Sequence, residues 1–219
     1  MDVVEIYESI QGECVNAGRM TTFVRLAGCN LRCSWCDTKY AYDGTKMSDK
    51  TKMSVAQVMD KIREFNNNLV EITGGEPLLQ REEVKELCYK LMKENFEVDI
   101  ETNGSIPFDK GDFGMARMIM DIKCPSSGMQ DKMIFANLRR LQSTFVQDCV
   151  KFVVNDEKDL EYVKGICERH VCNAKKYISP CWGTDISKIV EWMKQNKHLD
   201  LILSIQLHKV IWPVNKRGV

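Results

Sequence analysis

The chain carries no excess of either charge: Lys and Arg together number 31, and so do Asp and Glu. Without a broad cationic field there is nothing to hold a polyphosphate backbone, so direct nucleic-acid binding is not expected. No apolar run approaches the roughly 18 residues of a membrane span. Met1-Asp2-Val3-Val4-Glu5 offers neither the basic lead nor the apolar stretch of a secretory signal, which makes the cytoplasm the expected compartment. Internal repeats, linkers and low-complexity tracts are also lacking, so residues 1–219 are expected to form one domain. A hydrophobic fraction of 44% with 28% charged residues is globular composition. A chain of this length buries about 70% of its unfolded surface and needs no disulfide staples.

What the chain does have is ten cysteines. Cys14, Cys88, Cys124, Cys149, Cys167, Cys172 and Cys181 are scattered and read as small buried apolar side chains in a reducing compartment. Cys29, Cys33 and Cys36 instead crowd into eight residues. Cross-linking thiols that close is awkward, and an odd number leaves one over, so metal ligation is the better reading. Structural zinc wants four protein ligands, and no second Cys or His pair stands at a finger-like distance. An iron–sulfur cluster is also held by thiolates, most often four, and a run supplying only three leaves one iron with an open position. A small chelating ligand could fill it. A plain thiolate-metal or electron-transfer module is an alternative use of the same loop.

Strand and helix periods alternate along the chain. Extended segments are expected at Val3–Tyr7, Thr22–Ala27, Leu69–Thr73, Glu97–Thr102, Ile119–Lys123, Cys149–Val154, Tyr177–Ser179 and Leu201–Leu207. Helical spacing runs from Ser54 to Phe65, Arg81 to Asn95, Asp131 to Gln142, Asp156 to His170, and onward from a cap at Thr184 or Asp185. Alternation at this spacing argues for a parallel sheet covered by helices, with right-handed crossovers that let it curl. A complete eight-unit barrel typically needs about 250 residues, so the expected fold is an incomplete α/β barrel of about six parallel strands.

The run Gly28-Cys29-Asn30-Leu31-Arg32-Cys33-Ser34-Trp35-Cys36-Asp37-Thr38-Lys39-Tyr40, with its C-x3-C-x2-C spacing, resembles the cluster loop of radical S-adenosylmethionine enzymes. More narrowly, Glu5 to Glu13, Cys36 to Ala41, Thr73-Gly74-Gly75-Glu76-Pro77, Glu101-Thr102-Asn103-Gly104, Asp121-Ile122-Lys123 and Gln206-Leu207-His208-Lys209 resemble the 7-carboxy-7-deazaguanine synthase family. One departure is visible: the family commonly writes Gln-Gly-Glu-Gly where this chain ends in Cys14, which puts the backbone there in question.

The resemblance implies a lyase that converts 6-carboxy-5,6,7,8-tetrahydropterin to 7-carboxy-7-deazaguanine with loss of ammonia, on the route to 7-deazapurines such as queuosine. It implies a [4Fe-4S] cluster on Cys29, Cys33 and Cys36, S-adenosylmethionine, and Mg2+ at Thr38. It implies cofactor contacts from Trp35, Cys36, Asp37, Gly74, Gly75, Glu76, Lys123, Cys124 and Pro125, with Ser179 at a late strand end. Arg25, whose planar fork can grip a carboxylate, Ile10, Gln11, Gly12 and Thr73 would meet the substrate. The implied partners are a reductant such as a flavodoxin or ferredoxin and a second copy of the chain in a homodimer. Ordinary readings stand beside these: Arg25 or Lys123 in a salt bridge, Thr38 as a turn or cap, His170 capping a helix C-terminus. A glycyl-radical activase, acting on a protein partner, would share the cluster loop and Gly-Gly-Glu-Pro. His208 and Lys209 are expected to leave the last strand near the ligand mouth. The tail Trp212 to Arg217 is expected either over that mouth or on another surface.

Overall fold

A computed structural model describes residues 1–42, 50–141, 146–213 and 216–219. Its strands are β1 (Asp2–Ile10), β2 (Met20–Leu26), β3 (Thr51–Lys52), β4 (Leu69–Gly74), β5 (Glu97–Thr102), β6 (Arg117–Lys123), β7 (Cys149–Val154), β8 (Lys175–Pro180) and β9 (Leu201–Leu203). They form one sheet in the order β3-β1-β2-β4-β5-β6-β7-β8-β9. From β2 through β9 the pairings are parallel, so seven strands, against the expected six or so, make the curled part of an open sheet. β1 pairs antiparallel with both β2 and β3. The link from Ile10 to Met20 is too short for the crossover that a parallel pair needs, so β1 folds back as a hairpin.

Four longer helices return the chain: α1 (Val55–Arg63), α2 (Arg81–Lys93), α3 (Glu157–Arg169) and α4 (Ile186–Gln195). Ser54 and Gln57 close a reciprocal capping box on α1, worth about 1 kcal/mol. Asp156 caps α3, and Asp185 rather than Thr184 caps α4. Val84, Leu87, Cys88 and Leu91 put the buried stripe of α2 against the sheet.

The sheet has two chemically different faces. Val70, Ile72, Val98, Ile100, Met118, Met120, Ile122, Val150, Phe152 and Val154 point toward the helices and form the main core. On the other parity stand Glu71, Thr73, Glu101, Asp121, Lys123 and Lys151, which line a cavity. Strand alternation thus turns one run of residues into both a core and a polar interior.

Two expected elements differ. Asp131–Gln142 is not an α-helix: Gln130–Lys132 and Phe135–Arg140 are 3₁₀ turns, and Gln142 lies outside the described residues. The reason is a tertiary demand. Ile134 N–H donates to Gly104 O, while the Asn137 amide donates to Gly104 O and Ile106 O and accepts from Phe108 N–H, satisfying a buried loop. The last strand stops at Leu203, and Leu207–Ile211 is a short helix, α5. There the chain turns to bond the segment after β1: Ser204 Oγ accepts from Cys14 N–H at 3.0 Å, and Leu207 N–H donates to Gly12 O at 3.1 Å. His208 and Lys209 therefore sit on α5 and not on a strand end.

Cys14 has φ +57°, a left-handed conformation that glycine adopts freely and other residues adopt at a cost of about 1–2 kcal/mol. The backbone at this departure from Gln-Gly-Glu-Gly thus has a glycine-type conformation despite the side chain.

Candidate active site

The cysteine loop leaves β2 through Gly28, at φ +94°. Gly28 N–H donates to Ala41 O at 2.8 Å, and its carbonyl accepts from Glu76 N–H at 2.7 Å, pinning the loop at both sides. Ser34 N–H donates to Ser127 O at 3.1 Å, and Trp35 Nε1 to Ser126 Oγ at 3.2 Å. Leu31 is buried beneath. So held, the thiols of Cys29, Cys33 and Cys36 are free, half-buried, and open into a cavity of about 790 Å³, within the range of small-molecule sites. Burial pushes the Cys29 and Cys33 thiols up, with Lys123 opposing in both.

Gly74 ends β4 and Gly75 follows it, both at the same cavity. A Cβ on Gly74 would enter the Leu26 backbone, and one on Gly75 would enter Gly28 O and come 2.9 Å from Cys29 Cβ. The close approach these glycines permit is first of all to the cluster loop itself. Glu76 is fully buried and braces this corner: Oε1 accepts from Leu78 N–H at 2.9 Å and Thr102 Oγ1 at 2.8 Å, and Oε2 from Asn103 N–H at 2.6 Å. Burial pushes its carboxyl up to about 7 against the pull of those donors.

Trp35, Asp37, Thr38 and Lys123 all line the cavity. Lys123 Nζ bonds Asp121 Oδ2 at 2.6 Å and lies 5.5 Å from the Trp35 ring centroid, so its salt bridge lies inside the cavity. Asp37 pairs with Lys209 at 2.8 Å. Burial works against its charge, yet Lys209 holds the carboxyl below its usual value. Thr38 Oγ1 is 3.7 Å from Cys36 Sγ and 3.4 Å from Asp37 Oδ1. Cys124 and Pro125 are not among the lining residues; the Cys124 thiol points into the core, 3.8 Å from Ile122 O, and Pro125 opens a 3₁₀ turn. The reason is parity: Lys123 faces inward, so Cys124 faces the helices. Ser179 is fully buried, and its Oγ has no hydrogen-bond partner among the described residues.

Ile10, Gln11, Gly12, Arg25 and Thr73 share the cavity with the thiols. Both ends of the Gln11 amide are engaged, Nε2 with Glu71 and Oε1 with Glu13 N–H at 2.9 Å. Thr73 Oγ1 donates to Glu101 Oε2 at 2.9 Å. Lys151 is the hub of this interior: its Nζ lies 2.5 Å from Glu13 Oε2, 2.5 Å from Glu101 Oε1 and 3.5 Å from Asp121 Oδ1. Burial would lower the Lys151 pKa, but these acids raise it well above its usual value. Glu71, fully buried beside Glu101 and Asp99, is driven the other way for a carboxylate, well upward. The sequence reading did not single out Glu13, Glu71, Glu101 or Lys151 as site residues. For Glu71 and Glu101 the signal was polar residues at alternate strand positions, Glu71 with Thr73 and Asp99 with Glu101, between apolar neighbours. His208, Lys209, Lys216 and Arg217 complete the rim, with the Arg217 guanidinium 3.8 Å from the Tyr40 ring centroid; Val214 and Asn215 lie outside the described residues.

Residues 24–121 match the Radical SAM superfamily. A 7-carboxy-7-deazaguanine synthase of Methanospirillum hungatei is 41% identical over 96% of this chain and 85% of its own length. One from Clostridium acetobutylicum is 40% identical over 99% and 98%. The chain belongs to the 7-carboxy-7-deazaguanine synthase family. The crystal structure of QueE from Escherichia coli shares the fold, with a TM-score of 0.74 and 22% identity over 94% of this chain and 93% of that one.

Radical SAM membership brings a [4Fe-4S] cluster and S-adenosylmethionine, a small-molecule substrate and a source of electrons. The donor set fits the cluster. The thiols of Cys29, Cys33 and Cys36, free and half-buried on one loop at the cavity wall, are the soft thiolate donors that an iron–sulfur cluster takes. No helix of the described residues is long and apolar enough to cross a membrane.

Proposed function

We propose that this member of the family converts 6-carboxy-5,6,7,8-tetrahydropterin to 7-carboxy-7-deazaguanine with loss of ammonia, as one domain spanning residues 1–219. The observation that carries the reading is that the cysteine loop and the polar face of the sheet open into one cavity. Cys29, Cys33 and Cys36 would hold the cluster. Trp35, Asp37, Gly74, Gly75 and Lys123, backed by Glu76 and Ser179, would hold S-adenosylmethionine beside it. Together those groups supply hydrogen-atom abstraction from an unactivated carbon, which no side chain can perform.

The residues of the chain do the binding. Arg25 would offer its guanidinium to the substrate carboxylate, and Thr38 would offer a hydroxyl oxygen to a magnesium ion, which would supply positive charge to the substrate's carboxylate. Gln11, immobilised by Glu71 and Glu13, presents a fixed amide to the heterocycle edge, with the backbone at Ile10 and Gly12 alongside. Thr73 and Glu101 face the same ligand from β4 and β5. The rim residues of α5 and the tail exclude water. A flavodoxin or ferredoxin as reductant, a homodimer and a cytoplasmic location complete the proposal.

A glycyl-radical activase must admit a polypeptide, but here Lys216 and Arg217 line the mouth, which favours a small substrate. The test is anaerobic incubation of cluster-loaded protein with dithionite, S-adenosylmethionine and the carboxypterin, read by mass spectrometry. Product and ammonia are expected, with S-adenosylmethionine recovered. Deoxyadenosine accumulating without the deazapurine would overturn the reading.

A further inference from the structure

We propose that Asn103 is a positioning residue that donates an N–H···S hydrogen bond to Cys29 and so raises the reduction potential of the cluster. The inference rests on the reading of the loop cysteines as cluster ligands. Asn103 Nδ2 stands 3.7 Å from Cys29 Sγ and 3.0 Å from Asn30 Oδ1, using its two hydrogens. The amide cannot be turned over. Its Oδ1 accepts from Ser105 N–H at 3.0 Å and Ser105 Oγ at 2.6 Å, and a flipped amide would set Nδ2 against that backbone donor and oxygen against Asn30 Oδ1.

A closed ring fixes the donor. Asn30 Nδ2 donates to Ser105 Oγ at 2.8 Å, Ser105 to Asn103, and Asn103 back to Asn30. Asn103 N–H is meanwhile held by Glu76 Oε2 at 2.6 Å, so its backbone is set from the turn after β4, its side chain from the cluster loop. Asn103 is buried, which strengthens a dipole aimed at charge. Cys29 Sγ also accepts from Leu31 N–H at 3.4 Å; among the described residues no other side-chain amide reaches a loop thiol.

The reduced cluster carries one electron more than the oxidised cluster, and part of that charge resides on the thiolates. A fixed donor at one thiolate favours the reduced form, so removing it makes reduction harder.

The experiment is a redox titration of the cluster-loaded protein without S-adenosylmethionine, read by the electron paramagnetic resonance signal of the reduced cluster. The proteins compared are the unmodified chain, Asn103→Ala, the near-isosteric Asn103→Asp, and Asn30→Ala, which opens the ring but keeps the donor. At a fixed poise, both Asn103 variants should lower the reduced-to-oxidised ratio roughly tenfold, ~59 mV for one electron. Asn30→Ala should stay much closer to the unmodified protein. Unchanged potentials in both Asn103 variants overturn the inference, as does an equal shift in Asn30→Ala, which would assign the effect to the loop. Iron and sulfide analysis separates the two levels: an unmodified chain that takes up no cluster sinks the site reading, whereas full clusters with unmoved potentials sink only the role of Asn103. Should the Asn103 variants not fold, the unmodified protein carrying side-chain 15N-asparagine decides. A hyperfine coupling from one asparagine nitrogen to the reduced cluster supports the inference, and its absence contradicts it.

Discussion

Arg25 Nε donates to Glu5 Oε1 at 2.8 Å, and the two residues face each other in the register of β1 and β2. Nη2 donates to Tyr7 Oη at 2.7 Å. One edge of the fork is therefore tied to the hairpin, and among the described residues Nη1 has no protein partner. Burial works against the Arg25 charge, but its neighbours hold the guanidinium firmly protonated. Arg25→Lys keeps a charge but loses this anchored fork. A hydrogen bond to a charged group is worth about 1.5–3 kcal/mol, so KM for the carboxypterin should rise roughly 10–100-fold with kcat less affected. Steady-state kinetics under anaerobic conditions check this, and an unmoved KM would remove Arg25 from the site.

Gly75→Ala brings a methyl group into Gly28 O and against Cys29 Cβ. Backbone carbonyls do not yield like flexible side chains, so the cluster loop must shift. The variant should lose about 1–3 kcal/mol of stability and most of its iron. Thermal melts of the apo-protein and iron content after reconstitution measure the two effects separately; full iron loading would contradict the tight approach described here.

Much of the architecture could be read before any coordinates, for identifiable reasons. Strands such as Glu97–Thr102 alternate apolar with polar residues at period two, and Ser54, Asp156 and Asp185 mark helix starts with caps that act locally. Asp131–Gln142 had the same apolar spacing, but Asn137 serves the 104–108 loop, a contact no local pattern reveals. β9 ended early for a similar reason, because Ser204 and Leu207 answer to the segment after β1. In the site, the cysteine triplet was legible from spacing alone. The inner charges were less so, since Glu71, Glu101 and Lys151 look out of place in strands until the apolar face is assigned to the helices. Cys124 was placed with Lys123 and Pro125 by the family resemblance, whereas strand parity sends Lys123 and Cys124 to opposite sides.

Glu101 supplies a pH test. Burial would raise its pKa, but Lys151 and Thr73 outweigh it and bring the value from 4.5 to about 2. A depressed folded-state pKa means stability that is fully present above about pH 4.5 and lost as the pH falls toward 2. The stability gap between the unmodified chain and Glu101→Gln should therefore shrink across that window. Urea melts at stepped pH measure it; a gap that widens on acidification would contradict the Lys151 pairing.

Thr38 makes no cap hydrogen bond with its side chain at the turn it precedes, so Thr38→Ala should leave the fold and the cluster content unchanged. If its hydroxyl helps to hold magnesium, chelation should lower turnover of the unmodified enzyme on the order of tenfold, and the variant should be low with or without the ion. Activity that ignores both added magnesium and the substitution would take Thr38 out of the site.

The central claim is that the protein gives the cluster three thiolates and leaves the remaining iron to S-adenosylmethionine. Electron–nuclear double resonance on the reduced cluster, with S-adenosylmethionine labelled by 15N in its amino group and 17O in its carboxylate, tests this most directly. Coupling from both labels is predicted, together with loss of the cluster on substituting any of Cys29, Cys33 or Cys36 by Ala. A reduced cluster that shows neither coupling, with a protein side chain on every iron, would contradict the account.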